Sequence, residues 1–485
     1  MTPPKRIAMI GLDAADLGSI RSWSGRLPNL SRVLASGPLS TLRSPADVLA
    51  GSVWPTFYTA SSPGDHGIYH HLQWDAASMR LRRVTSDWLD CEPFWSELAR
   101  RGRRVVALDV PLLLSARSPR GVEVLNWGSH DTLGPFACQP RSLEGEIRRR
   151  FGAHPMGCEI PVGKSAAELR EIRDALVRGA RLKGRLVRFL LDREPFDLFI
   201  AAFGETHRGG HILWPGGGDH AIPADALLDV YRAVDEALGE ILDAPALADA
   251  GVIVFSLHGM GPNTSQEHFV PQVMDRVNES FSGRRSPGAG ASRSRPPPAI
   301  VRRLRERVPA RIQSRIAQAV PVSVRDAVVN RSIVAGHDWS TTVGFDLLSD
   351  LNGYLRWNVR GRERDGILQI GSETFDRYNA WVRECFTSLT IAGSGERLLG
   401  EVHVTRERFP GRRVDHLPDM VVMWSGAAPV SRVESDRIGP VAALPSTGRS
   451  GNHRRDGFCV LSLPPGLPEL SEGRDLARLV RGALE

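Results

Sequence analysis

Short runs of consecutive apolar residues punctuate the chain: RIAMIGL (6–12), RVVALDV (104–110), FDLFIAAF (196–203), GVIVFSL (251–257) and DMVVMW (419–424). Runs that are apolar at successive positions fit strands covered on both faces, where neither set of alternating side chains meets water. Helical patterns lie between several of them, EPFWSELARRG ahead of the second and DALLDVYRAVDEALGEILDAPALADAG ahead of the fourth. This alternation predicts an α/β fold, a three-layer α/β/α sandwich around a mostly parallel central sheet. Ligands in such sheets sit beyond the carboxyl ends of the strands.

Polar residues gather at those ends. Asp13 follows the first run, Asp109 lies in the second, Glu205, His207 and His211 follow the third, and His258 follows the fourth. In FGETHRGGHILW the two histidines are four apart, and Gly209 and Gly210 between them favour a loop in which both rings turn inward to clamp one divalent ion. Gly259 after His258 gives the backbone room for a sharp turn at a strand end. STGRSGNHRRDGFCVL brings His453, flanked by Arg449, Arg454 and Arg455, ahead of a further apolar run.

Residues 282–330 break the pattern, opening on Gly, Ser, Pro and Arg and continuing with arginines opposite apolar positions at roughly helical spacing. The expected organisation is a core of residues 1–275 and 346–485 with an Arg/Pro-rich insertion or cap at 276–345. A solvated surface is the default for such a charge run, with a lid for an anionic substrate or a membrane contact as the alternatives.

With 485 residues, 53.2 kDa and 41% hydrophobic content, the chain can bury a large core. The net charge of +7 is carried almost wholly by arginine, with lysine only at Lys5, Lys164 and Lys183. No RNA-binding or zinc-finger signature accompanies that charge, so no specific nucleic-acid binding is expected. Five scattered cysteines with no C-x-x-C pair exclude a thiolate zinc site and fit a reducing compartment. The apolar run near the N-terminus is too short for a signal-peptide core or a membrane span, and a cytoplasmic location is expected.

The ordered motifs GLDA, SVWPTFYTASSPGDHGI, ETHRGGH, SLHGMG and GNHRRDG, with LNGYLRWNVRGRERDGIL (351–368), resemble the alkaline phosphatase superfamily. The branch they are most similar to is the type I phosphodiesterase/nucleotide pyrophosphatase group. The resemblance implies hydrolysis of an anionic small-molecule phosphate ester, a phosphodiester or nucleotide-like pyrophosphate, with one or two divalent ions. The family's D-x-x-x-H ligand positions fall on His207 and His211, and its late histidine on His453. The second ion's ligands fall on Asp13 and His258. Three imidazoles favour zinc, or iron or manganese, over magnesium.

Two departures accompany the resemblance. Leu257 stands where the family has an aspartate, and Ala50 falls in the nucleophile's place, leaving Ser52, with Thr56, as the nearby hydroxyl. The chain is therefore expected to be a one-metal enzyme using water or Ser52, or one recruiting Glu205 as the missing carboxylate; the alternative is a non-catalytic ligand-binding relative. The sulfatase motif C-x-P-x-R is absent. His130 and Asp131 read as a surface turn or a pocket wall, His66, His70 and His71 as neighbours outside the ligand set, and His337 or Asp338 as part of a lid. Arg449, Arg454 and Arg455 are candidates to pair with a phosphate.

Overall fold

The computed structural model describes residues 5–115, 121–157, 165–216, 222–283, 320–334, 336–445, 448–462 and 470–485. The Arg-rich stretch 284–319 lies outside the described residues, as does Cys158, and so does the greater part of the expected lid or membrane contact.

An eight-stranded sheet forms the centre, in the order Leu39–Arg43, Asp456–Ser462, Gly251–Ser256, Ile7–Leu12, Leu198–Phe203, Val105–Leu108, Gly121–Leu125, Ala137–Gln139. The inner strands are parallel, Ile7 pairing with both Leu198 and Gly251, and antiparallel strands close the two sides. Ile7–Leu12 and Leu198–Phe203 are buried along their whole length, as their unbroken apolar runs require. One face is covered by helices Pro28–Ala35, Ser142–Phe151, Ala166–Arg193 and Ala226–Leu242, the other by Val53–Tyr58, Trp95–Arg100 and Gly473–Leu484. The expected three-layer α/β/α sandwich is the observed one.

The run 419–424 belongs elsewhere. Met420–Trp424 lies in a separate antiparallel sheet with Gly344–Leu347, Gly353–Trp357 and Leu399–Val404, packed with helices Val270–Ser282 and Glu373–Thr387 around its own apolar cluster. Apolar length alone does not tell a strand its sheet. The expected boundary at 345/346 falls in the middle of the strand Gly344–Leu347, after its second residue. Arg356 is almost fully buried there and is neutralised by Glu363 at 2.8 Å, while Arg362 pairs with Asp419. Arg356, Arg362 and Glu363 come from the LNGYLRWNVRGRERDGIL segment, which ties strand to turn in this second sheet.

The chain leaves the main sheet through Gly259–Pro262 and returns through Gly451–Arg454. These two segments pair antiparallel, with Met260 opposite His453. That pairing sets the late histidine beside the sheet's carboxyl edge. Among the described residues no helix is long and apolar enough to cross a membrane.

Helices Ala166–Arg193 and Ala226–Leu242 approach closely at Gly184, where an added Cβ would lie 2.6 Å from the Ala237 Cβ. Gly184→Val gains a few tenths of a kcal/mol of helix propensity but overpacks this contact at a cost of about 1–3 kcal/mol. A net loss of stability is expected in thermal or urea unfolding; an unchanged or raised midpoint contradicts the packing described.

Candidate metal centre

Three strand ends and the returning segment deliver the cluster. Strand Ile7–Leu12 ends in Asp13, Leu198–Phe203 runs into helix Glu205–Leu213, Gly251–Ser256 is followed by His258, and Gly451–Arg454 carries His453. The ETHRGGHIL segment is a buried helix, not the expected loop. Its glycines serve close approach. A Cβ on Gly210 would meet Met260 Cγ at 2.7 Å, and one on Gly451 would meet the Gly210 carbonyl at 2.2 Å. The helix can therefore lie against the 259–262/451–454 pair, bringing His211 and His453 together. The Thr206 hydroxyl donates to the Asp13 carbonyl at 2.6 Å and pins the helix start to the first strand end.

The Nε2 atoms of His207, His211 and His453 converge, at 2.9 Å (207–211), 2.7 Å (207–453) and 3.1 Å (211–453). All three rings are buried. Counting protons shows what such a group requires. His211 Nδ1 faces the Gly451 carbonyl at 3.0 Å, which only accepts, so the ring proton sits on Nδ1 and Nε2 is a lone pair. His207 Nδ1 faces Asp13 Oδ2 at 3.0 Å, so a neutral ring again turns a lone pair inward. His453 brings at most one Nε2 proton, which leaves the 207–211 contact without one. A shared cation resolves all three contacts at once. Tetrahedral zinc, at about 2.0–2.1 Å from each nitrogen, separates its ligands by about 3.3 Å, so the cluster needs to open only by a few tenths of an ångström. Burial, together with Arg449 and the neighbouring rings, holds His211 well below the ordinary histidine range. Burial with His207 and His258 does the same for His453, favouring the neutral, metal-binding form.

Asp13 is the hinge between this cluster and its surroundings. Oδ1 accepts from Trp54 Nε1 at 2.7 Å and lies 3.3 Å from His258 Nε2, while Oδ2 faces His207. Burial alone would raise the carboxyl, but His207, His258 and His130 hold it well below the usual carboxylate range. A carboxylate on the outer nitrogen of a ligand histidine fixes its tautomer and orientation.

His130 also reaches this centre. Its Nδ1 lies 3.1 Å from His207 Nδ1 and 3.7 Å from Asp13 Oδ2. Of the two readings for 124–132, a surface turn and a pocket wall, His130 fits the wall. Asp109 builds that wall, accepting from the backbone N–H groups of Trp127 and Gly128 at 2.7 Å each and from Lys183 Nζ at 2.5 Å. Asn126 and Asp131 adopt positive φ on either side of the turn. Sequence reasoning could have found His130 through its place just beyond strand Gly121–Leu125, a strand the apolar-run criterion passed over because Glu123 interrupts it.

The other candidates lie elsewhere. Ser52 is fully buried and its hydroxyl donates to the Ile68 carbonyl at 2.7 Å. Thr56 Oγ1 is 3.1 Å from His66 Nε2, but His66 Nδ1 accepts from the Ile68 N–H, so Nε2 carries the proton and the ring is no base for Thr56. From the 50–56 segment it is the Trp54 indole that reaches Asp13. Leu257 packs in the apolar layer and touches the Gly473 position, and it borders a surface pocket of ≈ 460 Å³ with Arg43, Arg408, Arg455 and Arg474. Glu205 points to His154 at 3.0 Å and is held ionised against its burial by Lys183 and that histidine. His154, missed in the sequence, takes one oxygen of Glu205, Oε1. Arg449 pairs with Asp350 at 3.0 Å, Arg454 donates to the Pro262 carbonyl, and Arg455 faces Asp47. His71 faces Asp131 at 3.4 Å and His70 faces Asp350 at 3.7 Å. His337 stacks on Trp339, and Asp338 caps Ser340, within the cap rather than over the histidines.

The family model for type I phosphodiesterase/nucleotide pyrophosphatase matches residues 7–339. The chain belongs to that family. Its members are metal-dependent hydrolases of phosphate esters, and the described residues include two groups able to hold an ion, His207–His211–His453 and Asp13–His130–His207. Phosphonoacetate hydrolase from Sinorhizobium meliloti 1021, in complex with phosphonoformate, has the same fold: TM-score 0.54 at 14% identity, covering 99% of this chain and 96% of that one. Murine ectonucleotide pyrophosphatase/phosphodiesterase 5 in complex with AMP gives 0.49 at 12% identity, covering 99% and 94%. A comparison with curated protein sequences found no match.

The buried His66 gives a pH prediction. Burial lowers it from 6.5 to about 3, so the unfolded chain binds a proton in that interval that the folded chain does not. This contribution to stability is present above pH 6.5 and is lost as the pH falls toward about 3, up to on the order of 5 kcal/mol. In urea titrations His66→Gln should lose less stability between neutral and acid pH than the wild type; an equal loss contradicts the assignment.

Proposed function

We propose that this family member is a metal-dependent hydrolase of a small anionic phosphate ester, acting on a phosphodiester or a nucleotide-like pyrophosphate. The convergence of three buried Nε2 atoms with too few protons between them carries the reading. His207, His211 and His453 would hold zinc, or iron or manganese, in keeping with an all-imidazole donor set. Such an ion supplies a Lewis acid for a phosphoryl oxygen and lowers the pKa of water.

The rest follows from the chain's own groups. Asp13 fixes the His207 ring through Oδ2 and places negative charge beside the cluster, with His258 Nε2 at 3.3 Å from its other oxygen. Ser52 and Thr56 are committed to Ile68 and His66, so water rather than a side chain is assigned as the attacking group. Arg449 lies near His211 but is paired with Asp350 at 3.0 Å, so it would have to leave that carboxylate to meet an anionic substrate. The cysteines Cys91, Cys138, Cys385 and Cys459 are free, which supports a cytoplasmic location.

The same commitment of both hydroxyls favours a second reading, a non-catalytic relative that binds a phosphate ligand. Turnover separates the two. Zinc-loaded protein is expected to hydrolyse bis(p-nitrophenyl) phosphate, to lose activity with a chelator, to fall by at least about 100-fold in His211→Ala, and to keep activity within a few-fold in Ser52→Ala. Bound metal with no turnover of mono- or diesters leaves the binding reading standing.

A further inference from the structure

The ≈ 460 Å³ pocket beside Leu257 is lined by none of the metal-centre residues. Four guanidinium groups reach it from four separate segments: Arg43 at the end of strand Leu39–Arg43, Arg408 just beyond the second sheet's strand Leu399–Val404, Arg455 beside strand Asp456–Ser462, and Arg474 in helix Gly473–Leu484. Three carboxylates share the lining, and each has a partner. Asp65 accepts from the Ser62 hydroxyl at 3.0 Å, Glu472 pairs with Arg474 and caps its helix, and Asp47 lies 3.8 Å from Arg455. Arg43 and Arg408 are exposed and form no ion pair among the described residues.

The rest of the lining is in part apolar, with Val53 and Leu257 from the layer under the main sheet and Phe409 from the side of the second sheet. The two parts of the molecule touch there backbone to backbone, since a Cβ on Gly64 would meet the Phe409 carbonyl at 2.1 Å. A seam of this kind, with an apolar wall and a few converging polar groups, is a usual place for a small ligand, and the volume lies in the range such ligands need. Planar guanidinium forks match phosphate oxygens, and a dianion offsets both unpaired arginines at once.

We infer that this pocket binds a small organic phosphate, its phosphoryl group recognised by Arg43 and Arg408 and its apolar or aromatic part lying against Val53, Leu257 and Phe409. Arg455, a phosphate partner by its sequence position, belongs to this pocket and not to the histidine cluster. The site stands apart from hydrolysis and is tested without turnover.

Full-length protein is titrated by calorimetry with phenylphosphonate, which is not hydrolysed, in the presence of phenanthroline, a neutral chelator that keeps metal from holding the ligand at the histidines. One ligand per chain is expected, bound several-fold more tightly than inorganic phosphate. Arg43→Gln combined with Arg408→Gln should weaken it at least about 10-fold through the loss of charge-assisted hydrogen bonds, while His211→Ala leaves it unchanged. Both arginines are exposed, so the double variant should unfold at the wild-type midpoint; if it does not, either single substitution gives the same reading. No binding at millimolar phenylphosphonate, binding that survives the arginine substitutions, or binding lost in His211→Ala overturns the site. Inorganic phosphate bound as tightly as phenylphosphonate overturns the organic part of the ligand.

Discussion

A shortage of protons is the constraint on which the site depends. Three ring nitrogens meet within 2.7–3.1 Å in a buried space, and the outer partners of His207 and His211 leave those two rings without a proton to share inward. Buried polar atoms that cannot pair cost on the order of 1–3 kcal/mol each. A cation satisfies them together, so the geometry that looks costly in the bare chain becomes a preorganised donor set.

The fold delivers this geometry through a few local decisions. Parallel pairing of Ile7–Leu12 with the strands on either side aligns Asp13, the start of helix Glu205–Leu213 and His258 along one edge. Antiparallel return at Met260 and His453 adds the last histidine after the chain has passed through the second sheet. Gly210 and Gly451 allow the helix and that return to touch backbone to backbone. The buried Lys183–Asp109 pair then holds the turn bearing His130. Removing one partner of such a pair strands a buried charge, which is why the wall of the site is tied to the core of the sheet.

The sheet was legible because its central strands are apolar on both faces, and the polar residues after them stood out against that background. His207, His211, His258, His453 and Asp13 were all named from this contrast and from the resemblance, and the structure brings them together. The helix was misread because glycine marks a turn and a close approach equally well, and only the facing hairpin tells the two apart. For His130 the surrounding Asp, Ser and Gly leave a surface turn and a pocket wall both open, because the anchor that decides it, Asp109, is a tertiary contact. Met420–Trp424 was placed in the main sheet because an apolar run carries no information about its partner strand. Ser52 stood out for its nearness to Ala50; the Ile68 carbonyl that takes its hydroxyl is a tertiary contact.

The family resemblance and the geometry diverge at the second ion, and the divergence has a physical sense. Leu257 is part of the apolar layer beneath the sheet and Trp54 occupies Asp13 from the side of the lost nucleophile. What remains is gathered around His207. The measurement that bears most directly on this is anomalous diffraction from crystals of the zinc-loaded protein. A peak within about 2.0–2.1 Å of the Nε2 atoms of His207, His211 and His453 is the expected result; zinc bound without these three nitrogens, or no ordered zinc at all, would contradict it.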